Sequence, residues 1–248
     1  MRVMKVGFVV IAAVAMAQSA AAQTERTLTT LEVSVACGPP TSFDVPADPL
    51  RVIGAQDTVK RTIFNTADLL IVNGGTAKGV QLGQQYWVRR AVIAGSDRKN
   101  PSAIVTAGWI SVVAINEQTA IAKVDHFCGA LFPDDYLEPY VAPSLPAEVE
   151  NNEPTGDLDF TALSKVMTGP EATSAGAGNS LMLIDRGEDR ETKPGMRFAI
   201  YRDLHAAGIP LAAVGEGVVL SVGKKMSLTR ITRSRDTVIT GDYVVPRK

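Results

Sequence analysis

Residues 69–90 (LLIVNGGTAKGVQLGQQYWVRR) and 181–202 (LMLIDRGEDRETKPGMRFAIYR) align without a gap, and no other feature of the chain restricts its fold as much. Gly75 pairs with Gly187, Gly83 with Gly195, Tyr86 with Phe198, Val88 with Ile200 and Arg90 with Arg202. The match resumes at 104–139 against 211–246, pairing Gly108 with Gly215, Val112 with Val219, Lys123 with Arg230, Asp135-Tyr136 with Asp242-Tyr243, and Pro139 with Pro246. Between the two blocks the first copy is five residues longer, as expected where a surface loop absorbs an insertion. A stretch copied in this way must be a structural unit in its own right.

The length suits two such units. Of 248 residues, 46% are apolar and 21% charged, and removing a targeting segment leaves roughly 225, enough for two small domains. The N-terminus, MRVMKVGFVVIAAVAMAQSAAAQ, places two positive residues before an apolar core at 6–16 and small residues at 19–22. These are the three regions of a secretory signal, predicting cleavage after Ala22 and a periplasmic or secreted protein. The apolar core is shorter than the ~20 residues a membrane span needs, and no other stretch reads as a transmembrane segment. Formal net charge is −1, becoming −3 once Arg2 and Lys5 leave with the signal, so nothing global points to nucleic acid or an anionic membrane.

Cys37 and Cys128 are the two cysteines. In an oxidising compartment such a pair predicts a disulfide, here tying an N-terminal extension to the last hairpin of the first copy. Closing a loop of about 90 residues would contribute ~4 kcal/mol by the chain-entropy argument. Two buried free thiols are the alternative. Lipidation at Cys37 is disfavoured, because Ser34 stands where an aliphatic residue is needed and the apolar core lies far upstream.

Residues 31–35 alternate as a strand would, with Leu31, Val33 and Val35 on one face, and the prolines after Cys37 suggest an extended arm. In the first copy, 69–72, 86–90, 110–115, 120–124 and 136–140 read as short strands separated by glycine, asparagine and proline turns. The second copy repeats them. No helical period of useful length appears. The expected fold class is therefore all-β: two tandem small antiparallel β-barrels, SH3-like or OB-like, of five to six strands each. The chain divides into a signal (1–22), an N-terminal extension (23–49), a first barrel (50–143), an acidic proline-containing linker (144–159) and a second barrel (160–248). The linker reads as a hydrated, semi-rigid spacer that lets the barrels move relative to one another.

The repeated pattern is an acidic or amide residue before glycine, then G-x-x-F-x-I-x-R, a glycine-led strand, a further strand and a closing G-D-Y. It is carried by Asp185-Arg186-Gly187, residues 195–202, residues 215–222, residues 228–231 and Gly241-Asp242-Tyr243. It resembles the C-terminal domain of flagellar assembly protein T and the β-barrel repeats that accompany LysM modules in exported bacterial proteins, over about 160 residues. This chain has neither a LysM module nor the other flagellar domains, so neither association transfers. The resemblance implies an exported structural or binding module rather than an enzyme.

Groups suited to catalysis are sparse. His126 and Cys128 share a strand face, but the sequence near them holds no further ligand, so no metal site is predicted. His205 lies in a loop special to the second copy, and a hydrolase built there or on the 96–101 loop is an alternative without a nucleophile motif behind it. The glycines at 176–178 and 215–217 precede no helix, which removes the phosphate cradle and any nucleotide cofactor. Trp87 and Trp109 would pack the core or rim, since Ala199 and Glu216 replace them in the second copy. Lys224, Lys225, Arg230, Arg233 and Arg235 form a candidate basic edge for a polyanion or glycan, set against the simpler use of charged edges to keep barrels from pairing. Arg90 and Arg202 are expected to be structural, covering the barrel mouth or pairing with a turn carboxylate such as Asp135 or Asp242. The function expected is a non-catalytic scaffold or binding module of the cell envelope, with envelope proteins or glycans as partners.

Overall fold

The computed structural model describes residues 27–93, 101–147, 149 and 156–248. The expected signal, most of the 96–101 loop and the middle of the acidic linker (148 and 150–155) lie outside them. Among the described residues, no helix is long and apolar enough to cross a membrane.

The chain is all-β in two six-stranded antiparallel sheets. The first contains β1 (Val52–Ala55), β2 (Leu69–Val72), β3 (Gln85–Val92), β4 (Ala103–Ile115), β5 (Ala120–Phe127) and β6 (Tyr136–Pro139), in the order β1-β2-β5-β4-β3-β6. The second contains β7 (Ser164–Lys165), β9 (Leu181–Ile184), β10 (Arg197–Arg202), β11 (Ala212–Val222), β12 (Ser227–Ser234) and β14 (Tyr243–Pro246), ordered β7-β14-β10-β11-β12-β9. A separate pair, β8 (Ala175–Gly176) with β13 (Val238–Ile239), completes the strands.

The two orders describe one ring opened at different seams. In the first copy the seam falls between β1 and β6, where Arg51 bridges to Tyr136 and the Leu137 N–H reaches the Leu50 carbonyl at 2.8 Å. In the second it falls between the equivalents of β1 and β2, where Val166 bridges to Ile184 and the Met167 N–H reaches the Leu183 carbonyl at 2.8 Å. Each curled sheet thus meets itself, and the aligned residues keep their register: Val88 opposes Gly108 as Ile200 opposes Gly215. Tyr86 and Phe198 fill equivalent places in the two interiors, one among Val52, Leu70, Val88 and Ile110, the other among Val166, Met182, Ile200 and Val219.

The extension departs from the expected strand. Residues Thr30–Ala36 form a helix, α1, capped by a reciprocal pair in which Thr29 Oγ1 accepts from the Glu32 N–H and the Glu32 carboxylate accepts from the Thr29 N–H. Alternation misled because Leu31 and Val35, also four apart, share one face of a helix equally well. That face meets the outside of the second barrel, whereas Leu28, Ala36 and Cys37 meet the outside of the first. Beyond α1, the Gly38 carbonyl accepts from Thr106 Oγ1 at 2.7 Å, and Thr106 in turn accepts from the buried Arg89.

The linker also differs from a purely hydrated spacer: Val149 is buried against Leu181, Leu220 and Leu228 of the second barrel. β4 packs on the short turn of helix Pro170–Ala172, so the barrels touch directly as well as through the extension.

Candidate functional site

Two arginine–carboxylate pairs shared by the copies serve the fold. Arg90, near the end of β3, donates from Nε and Nη2 to the two carboxylate oxygens of Asp135 at 2.7 and 2.6 Å, and from Nη2 to the Ala130 carbonyl. Arg202 makes the same fork on Asp242, 2.8 Å for each bond, with Nη2 on the Thr237 carbonyl. Each carboxylate also accepts a backbone N–H from three residues earlier, Phe132 and Ile239. Burial lifts the Asp135 carboxyl above its usual value against the opposing pull of Arg90, and the bond to Asp242 raises Arg202. Both arginines therefore pair with the turn carboxylates expected of them.

Only the first copy carries an aromatic and sulfur cluster. Trp87 and Trp109 meet edge to face at 5.6 Å, Tyr140 lies 4.4 Å from Trp87, and His126 stacks on Trp109 at 4.3 Å. In the second copy Ala199, Glu216, Arg247 and Arg233 take these places, with Glu216 and Arg247 ion-paired at 3.2 Å. Cys37 and Cys128 are joined as a disulfide. Donor atoms of Cys37, His126 and Cys128 lie within 4.8 Å of one another, so the fold supplies a third potential ligand that sequence spacing did not reveal. With the two sulfurs bonded to each other there is no thiolate to ligate a metal, and the cluster acts as a clamp on the extension. Partial burial lowers the His126 pKa.

The basic residues of the second copy do not converge. Lys224 and Lys225 occupy the β11–β12 hairpin, whereas Arg233 and Arg235 lie at the opposite end of β12, about 25–30 Å away along an extended strand. Arg230, between them, donates from Nη2 to the Val149 carbonyl at 2.8 Å. Arg233 sits 3.9 Å from Glu216. The single edge expected from alternation is two exposed groups separated by an arginine engaged with the linker.

His205 stands in the loop between β10 and β11, its side chain 87% exposed and 3.4 Å from Asp203. An open groove of about 670 Å³, lined by Glu191, Lys193, Pro194 and Met196, does not include His205.

The outer faces of the barrels carry the feature that sequence reasoning missed. In the second copy, Leu181 and Leu183 of β9, Leu228 of β12 and Val218 and Leu220 of β11 form an external apolar face, covered by Leu31 and Val35 of α1, by Phe43 and by Val149. The aligned residues in the first copy are Leu69, Ile71, Ile121, Ser111 and Val113, with Lys123 in the place of Arg230. No segment equivalent to α1 covers them among the described residues: Leu69 is 39% and Val113 45% exposed, and neighbouring Ile53, the counterpart of Met167, is 51% exposed. A signal was present in the sequence. Strands reading LLIV and LMLI are apolar on both faces, the pattern of strands packed on two sides.

A scan against protein-family models and a search of curated proteins find no match to this chain.

Proposed function

We propose that this is an exported cell-envelope protein that acts without catalysis, as a scaffold or binding module. The observation that carries the reading is that the arginine–carboxylate pairs common to both copies, Arg90 with Asp135 and Arg202 with Asp242, are committed to holding each barrel's closing turn. Duplication has kept the groups that build the barrel, while the surroundings of Trp109 and His126 diverge to Glu216 and Arg233. The disulfide supports an oxidising compartment, since it clamps the extension on which the cover of the second barrel depends.

Cell fractionation combined with thiol alkylation tests this directly. The expected result is a processed protein in the envelope fraction whose cysteines resist alkylation until a reductant is added. A cytoplasmic protein with freely alkylated thiols would overturn the reading.

A further inference from the structure

The two outer faces differ in what covers them, and that difference points to a binding surface. On the second barrel, an apolar face of β9, β12 and β11 is occupied by a capped helix presenting Leu31 and Val35, followed by Phe43. Beside it Arg230 donates to the carbonyl of Val149, the linker residue that completes the cover, at 2.8 Å. On the first barrel the same face is built from Leu69, Ile71, Ile121 and Val113, with Ser111 in the place of Val218 and Ile53 at its border, and among the described residues no helix covers it. Lys123 stands at the place of Arg230, 3.4 Å from Asp125 and 47% exposed. A contiguous aliphatic patch on a barrel exterior, rimmed by a cation, is the signature of a surface that meets a partner.

We propose that the outer face of β2, β5 and β4 in the first barrel docks a short amphipathic helix of a partner protein. That helix carries two aliphatic side chains four residues apart and lies beside Lys123. The occupant is specified by the molecule's own precedent: the sister face, in the same register, takes a helix of this kind. Helix-in-groove recognition reads such i, i+4 anchors. The proposal rests on the binding-module reading but is tested apart from it, because peptide binding is measured on purified protein and localisation in cells.

The probe is a labelled synthetic peptide of residues 28–44 with Cys37→Ser, titrated against the intact, oxidised protein by fluorescence anisotropy. Leu69→Asp and Ile53→Lys disrupt the open face, and Leu204→Asp alters an exposed leucine elsewhere. Melting curves confirm that each variant is folded. Saturable binding, weakened at least about tenfold by each face variant and unchanged by Leu204→Asp, is the expected result. Absence of saturable binding, or binding indifferent to both face variants, overturns the proposal. Sedimentation equilibrium supplies the remaining arm: self-association abolished by Leu69→Asp would assign the face to a second copy of this chain and overturn the partner helix. If one face variant fails to fold, the other decides.

Discussion

Arg90 grips Asp135 through two parallel bonds of 2.7 and 2.6 Å, and the carboxylate it grips is almost wholly buried while the guanidinium is partly open to solvent. Such a pair contributes little over a well-packed apolar substitute, but breaking it from one side leaves a charge stranded in the interior. Arg90→Ala should therefore lower stability by about 2–4 kcal/mol, and the paired change Arg90→Leu with Asp135→Asn by clearly less. Urea unfolding measures both. Equal losses in the single and the paired variant would remove the stranded-charge explanation.

The disulfide makes a separate contribution. Cys37 and Cys128 lie 91 residues apart in sequence, and a loop of that length gives ~4 kcal/mol on the chain-entropy argument. Cys37→Ser with Cys128→Ser should lose much of that amount. It should also shift tryptophan emission to the red, because Trp87 and Trp109 are buried beneath Ala36 and Cys37. Loss of stability with unchanged emission would show that the extension stays docked without the bond.

Much of the barrel was legible in the chain because its determinants are local. The glycine turns and the alternating strand of 86–90 recur once the repeat is aligned, and the recurrence of Arg90 with Asp135 makes a pair between them one of two structural roles open to the arginine. What could not be read was what covers the outside. Leu31 and Val35 satisfy both a two-residue and a four-residue period, and only the Thr29–Glu32 capping pair separates helix from strand. Val149 sits in an acidic stretch whose average polarity hides one buried side chain. The basic residues looked like one edge because alternation reports the face of a strand, not the distance along it. Arg233 and the hairpin lysines are at opposite ends of β12.

His126 makes stability depend on pH in a stated direction. Partial burial against Trp109 holds its folded-state pKa below the ordinary 6.5. As pH falls through 6.5, the unfolded chain therefore takes up a proton that the folded chain resists, and stability declines. His126→Gln should flatten the change in urea midpoint between about pH 7 and pH 5. A variant with the same slope as the parent would place the titrating group elsewhere.

The helix is what keeps the second barrel's outer face from water. Leu31→Asp puts a charge against Leu181, Leu183 and Leu228, and should lower stability by about 1–3 kcal/mol. It should also raise binding of a dye that reports apolar surface, which a variant damaging only the barrel interior would do solely on unfolding. Thr29→Ala, which removes half of the capping pair, should produce the same dye signal more weakly at a loss of about 1 kcal/mol. No dye signal from a folded Leu31→Asp would mean that the face is covered by something other than α1.

Two glycines in each copy are needed for different reasons, and alanine distinguishes them. A Cβ on Gly75 would stand 2.1 Å from the Asn116 carbonyl oxygen, and one on Gly187 would stand 2.4 Å from that of Gly223. These carbonyls are the ones that accept from the Thr76 and Glu188 N–H groups, so the turn cannot back away without losing its bonds to the neighbouring hairpin. Gly83 and Gly195 face open space but hold φ of +77° and +85°, where a side chain meets only its own backbone at about 1–2 kcal/mol. Gly75→Ala should thus be the more damaging change, about 2 kcal/mol or more, with Gly83→Ala below it, and Gly187→Ala and Gly195→Ala in the same order. Equilibrium unfolding of the four variants checks the ranking. An inverted order in both copies would mean that backbone conformation, not the approach of the hairpin, is what these glycines serve.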